Sequence, residues 1–139
     1  MPKSLSHVVV FTEDLDATLR FLTDVANVAG VNRYQTEAED VHALFGWPLE
    51  HAAAKGAFVG EGPGSIDVLE IPEALHGTVQ PGARVLAVVN RDVDAAGGAA
   101  RDAGFDVRGP FNTTAATGAP MTMVEVRAGG VAFELVQFG

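Results

Sequence analysis

The chain has 139 residues, 47% apolar and 19% charged, a balance that excludes a disordered polypeptide and is enough for one domain with its own core. Nine basic against 18 acidic residues give a formal charge of −9, which opposes binding to nucleic acid or anionic lipid. The absence of cysteine excludes disulfide scaffolds, thiolate catalysis and thiolate-held zinc. No apolar run approaches the roughly 20 residues of a membrane-spanning helix, and no secretory leader is recognisable. The expectation is a soluble, cytoplasmic domain that acts on or binds a small molecule.

In chain order, Leu5-Ser6-His7-Val8-Val9-Val10-Phe11 reads as a strand buried on both faces. Asp14 is placed to cap a helix whose apolar face is Leu15, Leu19, Leu22 and Ala26, with Gly30 as its stop signal. Two strands are predicted at about Val31–Thr36 and Gly56–Glu61, separated by an insertion with a turn or short helix near Val41–Pro48. Gly62-Pro63-Gly64 turns the chain into a strand at Ile66–Ile71. The order then repeats. Val85–Val89 is a strand, Asp92 a cap, and Asp92–Ala103 a helix weakened by Gly97 and Gly98 unless these permit close packing. Further strands are predicted at about Phe105–Arg108 and Thr122–Arg127, with Asn112–Pro120 as a loop or strand edge beside a cleft. Gly129-Gly130 turns the chain into a last strand, Phe133–Phe138.

The repetition has a register. Asp92-Val93-Asp94-Ala95 matches Asp14-Leu15-Asp16-Ala17, and Phe133–Phe138 matches Ile66–Ile71 class for class. Each half reads β-α-β-β-β, and the second is the shorter between its helix and its last strand. One domain, residues 1–139, is therefore built from a first module of about 1–76 and a second of about 82–139.

Two motifs resemble a known family. His7 lies on the first strand, shortly before Asp14-Leu15, and Gly130-Val131-Ala132-Phe133-Glu134-Leu135 follows a Gly-x-x-Ile/Phe-Glu-Leu ending. With the duplicated βαβββ unit, these resemble the vicinal oxygen chelate superfamily of glyoxalases, extradiol dioxygenases, epimerases and bleomycin-binding proteins. The resemblance implies an α+β, glyoxalase-like fold: two βαβββ modules forming a curved mixed sheet around one cleft, helices outside. It also implies a divalent ion held by side chains from the first and last strands of each module. Position by position, the ligands would be His7, Asp67 and Glu134, with Glu134 also a possible base. The fourth position falls at Val85 or Arg84, and neither can ligate: valine has no donor atom and arginine stays protonated. That loss removes the second histidine an extradiol iron site would need.

Each of these residues also has a plainer explanation. A lone histidine in an apolar strand is commonly a core residue, and Glu134 could face solvent on an edge strand. Asp67 would exchange faces with Glu70 after a one-residue slip in register. Arg84, if it points inward, would pair with a carboxylate or grip an anionic ligand. Trp47, Phe45 and Leu44 either cap the cleft against an organic ligand or fill the core beneath the insertion. His42, His51 and His76 read as surface residues. Two functions therefore stay open. One is an isomerase, lyase or epimerase working on an oxygen-bearing metabolite at Mn, Ni, Zn or Fe. The other is a metal-free protein that binds or sequesters a small molecule or antibiotic. A homodimer is expected in either case, because paired modules leave sheet edges to cover.

Overall fold

The computed structural model describes residues 5–62, 64–115 and 118–139. Each half carries four strands and a helix in the predicted order. In the first module these are β1 (Leu5–Thr12), α1 (Leu15–Arg20), β2 (Val31–Gln35), β3 (Lys55–Val59) and β4 (Ser65–Glu70). The insertion between β2 and β3 holds a further helix, α2 (Ala38–Phe45). In the second module they are β5 (Gly82–Val89), α3 (Val93–Asp102), β6 (Asp106–Thr114), β7 (Pro120–Ala128) and β8 (Val131–Phe138). All strands join one curved sheet in the order β2-β3-β4-β1-β5-β8-β7-β6, with β1 and β5 antiparallel at the seam. Both modules lie in one chain and meet along that seam.

The helix starts follow the duplication closely. Asp14 accepts a hydrogen bond from the Ala17 N–H, and Asp92 accepts one from the Ala95 N–H, each at 3.0 Å. A second cap reaches each helix from the last strand of its own module. The Leu15 N–H donates to Glu70 Oε2 at 2.8 Å, and the Val93 N–H donates to Gln137 Oε1 at 3.0 Å. Glu70 and Gln137 are partners in the match between the two last strands, and both satisfy an otherwise orphaned helical N–H. Glu70 therefore serves α1, and the register leaves Asp67 on the opposite face.

The core is split by the sheet. Leu15 and Leu19 of α1 pack on Ala57, Val59 and Val68 at the outer face, and Val93 and Ala100 of α3 pack on Val124 and Val126. Gly97 permits that second contact to be close, since a Cβ there would lie 3.2 Å from Val124 Cγ1; Gly98 has open space around it. On the inner face, Val9, Leu69 and Val85 pack against Val41 of α2, Trp47 and Phe11. The repeat helices are thus outside as expected, whereas the insertion helix lies on the cleft side.

Local details differ from the sequence reading. After Arg20 the first helix widens into a π-helical turn, Phe21–Val25, which rotates Ala26 out to solvent. The left-handed residue behind it is Asn27, with φ 59°, and Gly30 instead opens β2. Strand β6 continues past Arg108 to Thr114, so Asn112–Thr114 is strand and not loop. Gly109-Pro110 signals an ending in sequence, but this is an edge strand, and the register shift between Arg108 and Phe111 absorbs it. Pro63 of the first predicted turn, and residues 116–117 of the predicted loop, lie outside the described residues.

Candidate functional site

The concave face of the sheet, roofed by α2, encloses a cavity of about 850 Å³. Its floor is built from the sites of duplication. His7 on β1, Asp67 on β4 and Glu134 on β8 all line it. The inter-strand pairs Val9↔Asp67 and Ala87↔Glu134 make the two carboxylates equivalent, and place Val85 where His7 stands in the first module. Val85 is buried in the core beside Val9.

His7 is 5% exposed, with its ring edge-on to Phe58 at 5.1 Å. Nδ1 lies 3.1 Å from Ser6 Oγ, and Nε2 lies 3.8 Å from Glu134 Oε2. Burial pushes the imidazole down to about 4, so it is neutral near pH 7. Glu134, 4% exposed, is pushed up to about 8 by burial first, and then by the charges of Asp67 and Glu125. With the imidazole neutral and the carboxyl largely protonated, the 3.8 Å approach is a contact between two neutral groups and not an ion pair. Glu125, directly across β7–β8 from Glu134, does not line the cavity. Its Oε1 accepts from Arg127 Nε at 3.1 Å, while its buried Oε2 has no hydrogen-bond partner among the described residues.

Opposite this pair stands a residue the sequence reading missed. Tyr34 on β2, the single tyrosine of the chain, reaches down and donates its hydroxyl to Asp67 Oδ1. Burial raises Asp67 to about 6, against the lowering effect of that hydrogen bond. The Tyr34 hydroxyl itself is pushed up, by burial and then by Asp67, and stays protonated. Gly56 makes the reach possible. It pairs with Tyr34 across β2–β3, and a Cβ at that position would collide with the phenol ring. Asn112 and Thr113, from the segment expected beside a cleft, line the cavity, and Phe58, Met121 and Met123 do so without having been singled out; strand alternation was the available signal.

The three expected ligand residues share the cavity unequally. His7 and Glu134 meet, whereas one oxygen of Asp67 is committed to Tyr34. Among the described residues no three His, Asp or Glu side chains are grouped so as to hold a metal ion. A divalent ion needs several donors at bonding distance from one point, and the fourth position is a valine. As arranged, the donors do not fit such an ion. Of the proposed ligand-contacting residues, Phe45 lines the cavity, but Trp47, 3% exposed, is core and packs on Phe11 and Phe45. Arg84 is exposed and does not line the cavity: Nε and Nη2 donate to the carbonyls of Gln80 and Pro81, at 3.1 and 3.0 Å. The remaining histidines are exposed, two of them tied to backbone: His42 Nδ1 is 2.7 Å from the Trp47 carbonyl and His76 Nε2 2.9 Å from that of Ile71.

Residues 4–134 match the model of the Glyoxalase/Bleomycin resistance protein/Dioxygenase superfamily. The chain belongs to that superfamily. Among solved structures, methylmalonyl-CoA epimerase from Mycobacterium tuberculosis is similar with a TM-score of 0.68 at 20% identity, over 96% of this chain and 87% of the other. A Streptomyces coelicolor methylmalonyl-CoA epimerase variant in complex with 2-nitronate-propionyl-CoA gives a TM-score of 0.69 at 20% identity, over 99% and 98% of the two chains. At that identity the likeness establishes the superfamily fold. No curated protein matches the chain. Among the described residues no helix is long and apolar enough to cross a membrane.

Proposed function

We propose that this superfamily member is a small-molecule enzyme of the isomerase, lyase or epimerase kind, moving a proton at a carbon next to a carbonyl, with Glu134 as the base. One observation supports this above the others: a carboxyl only 4% exposed, raised to about 8, lies at the floor of a substrate-sized cavity with a neutral imidazole beside it. Burial makes the ionised form of such a carboxyl a stronger base than an exposed glutamate. When Ser6 donates to His7 Nδ1, His7 Nε2 carries the ring proton and faces the cavity. The carbon–hydrogen electron pair then moves onto the carbonyl oxygen as Glu134 takes the proton, and the Nε2–H supports the enolate. Protonation of the enolate on its opposite face by a water molecule, with the proton held by Glu134 passing to solvent, inverts that carbon; departure of a group from the adjacent carbon with its bonding pair gives a lyase step. Tyr34 and Asp67 form a hydrogen-bonded part of the cavity wall. The epimerase activity named for the similar structures is compatible with this chemistry.

A metal-free binding protein is the second reading, favoured by the valine at the fourth donor position. A homodimer belongs to either reading; light scattering showing the 14.4 kDa monomer at every concentration would count against it. To separate enzyme from binder, the purified protein is incubated in D₂O with amino ketones, neutral 1,3-diketones, 2-oxo acids and methylmalonyl-CoA, and carbon-bound deuterium is read by NMR. Exchange that disappears in Glu134→Gln supports the enzyme. Exchange that persists in that variant removes Glu134 as base, and ligand binding without exchange favours the binder. Metal analysis of protein purified without added ions, with His7→Ala as control, tests whether a divalent ion is recruited after all.

A further inference from the structure

Resting on the reading above only for the cavity as the site, a second feature names what enters it. Among the described residues four acidic side chains line the cavity, Glu37 and Asp40 at the α2 rim and Asp67 and Glu134 at the floor, and no lysine or arginine does. Arg84, the nearest cation by sequence expectation, is folded onto its own loop. We propose that the cavity takes an organic cation, a protonated amine on an apolar body, and turns away anions, coenzyme A thioesters included.

The charge arrangement makes this selective. The Glu37 side chain makes no capping hydrogen bond, and neither rim carboxylate forms an ion pair among the described residues. Both are therefore available to an ammonium group at the mouth. Below them the lining includes Phe45, Phe58, Met121 and Met123, aromatic and polarisable side chains suited to a hydrophobic body. At the floor Glu134 is buried, lines the cavity, and makes no hydrogen bond among the described residues, with His7 Nε2 3.8 Å from its Oε2. An unpaired buried carboxyl of that kind is costly unless something completes it. A bare divalent ion would need donors crowded round one point, which this floor does not provide. An organic cation needs only hydrogen-bond distances and a cavity of the size present. A thioester of coenzyme A brings several phosphate charges and would meet acidic side chains, uncharged polar groups and a neutral imidazole, with no lysine or arginine among the described lining residues.

The test is calorimetric titration of chelator-treated protein at pH 7 and low salt with 2-phenylethylamine, 2-phenylethanol, 3-phenylpropionate and propionyl-CoA. The amine is expected to bind at least tenfold more tightly than the alcohol, and both anions more weakly than the alcohol. In Glu37→Gln/Asp40→Asn, whose changes lie on the exposed rim, the amine should fall to the affinity of the alcohol. Equal affinities, tighter binding of either anion, no binding of the amine, or an unchanged preference in the double variant would each overturn the proposal. Because the titration reads affinity alone, its failure leaves the deuterium-exchange result standing, and the converse also holds.

Discussion

The two modules share a framework and differ in what they place on it. Both start their helix with an aspartate cap and both support that cap from the last strand, Glu70 in one case and Gln137 in the other. Yet the first module contributes His7, Tyr34 and Asp67 to the cavity floor, and the second contributes Glu134 alone, with Val85 in the position equivalent to His7. The connections differ as well. Residues 36–54 of the first module carry α2 and Trp47 over the cleft, whereas residues 115–119 suffice to join β6 to β7 in the second. The lesson is that outer-face interactions, which every copy of the unit needs in order to fold, stayed alike, while cavity-facing positions were free to diverge.

The sharpest way to break that asymmetry is at its centre. Glu134→Gln keeps the side-chain shape and removes the base; exchange at the substrate carbon should fall by about 10²–10⁴-fold, the usual weight of a general base. Asp67→Asn should cost less, because Asp67 is a wall and not the base. A rate loss in Asp67→Asn equal to that in Glu134→Gln would erase the division of roles between the two modules, and a larger one would reverse it.

The roof should dominate stability. Trp47 is buried against Phe11 and Phe45, so Trp47→Ala is expected to cost about 3–5 kcal/mol in chemical denaturation. Among the described residues the second module has no such roof. A loss below about 1 kcal/mol would mean that α2 contributes little to folding.

The titrations divide along the same line. His7, lowered to about 4, leaves the unfolded chain binding more protons between pH 4 and 6.5, so its contribution rises with pH. Asp67, raised to about 6, works the other way over nearly the same window, and the two first-module groups largely offset each other. Glu134 has no such counterweight. Its folded carboxyl keeps its proton up to about pH 8 while the unfolded one has lost it, so stability falls as pH rises. Between pH 6.5 and 8 it acts alone among these groups, and a loss of roughly 1–2 kcal/mol is expected. Denaturant midpoints across that range should show the fall in the parent protein and not in Glu134→Gln. The same carboxyl predicts that the exchange rate rises with pH and levels off above about 8.

Smaller effects are expected at the shared caps. Asp14→Ala and Asp92→Ala should each cost about 1 kcal/mol and should match one another. A large inequality would show that the duplication is less faithful energetically than in geometry. Arg84→Ala, exposed and bonded only to Gln80 and Pro81, should change stability by no more than about 0.5 kcal/mol and leave ligand affinity unchanged.

Sequence alone determined the duplicated βαβββ order, the aspartate caps, the Gly129-Gly130 turn and the inward face of Glu134. These are local or periodic properties: alternation along a strand, a capping residue before an apolar stripe, and a match between two half-chains in register. His7 and Asp67 were reached through the resemblance to the superfamily, with the match between the two last strands pairing Asp67 with Glu134. Only the tertiary structure decided that Tyr34 meets Asp67, that Gly56 clears room for the ring, and that Trp47 is core while Phe45 faces the cavity. Tyr34 and Asp67 lie on strands separated by β3, and no periodicity relates them. Their contact depends on sheet curvature and on a missing Cβ. The same holds for Arg84, whose place beside the second-module equivalent of His7 suggested a role, but whose own loop carbonyls were nearer. Contacts made across the sheet are set by the packing of the whole chain, so a linear reading cannot supply them.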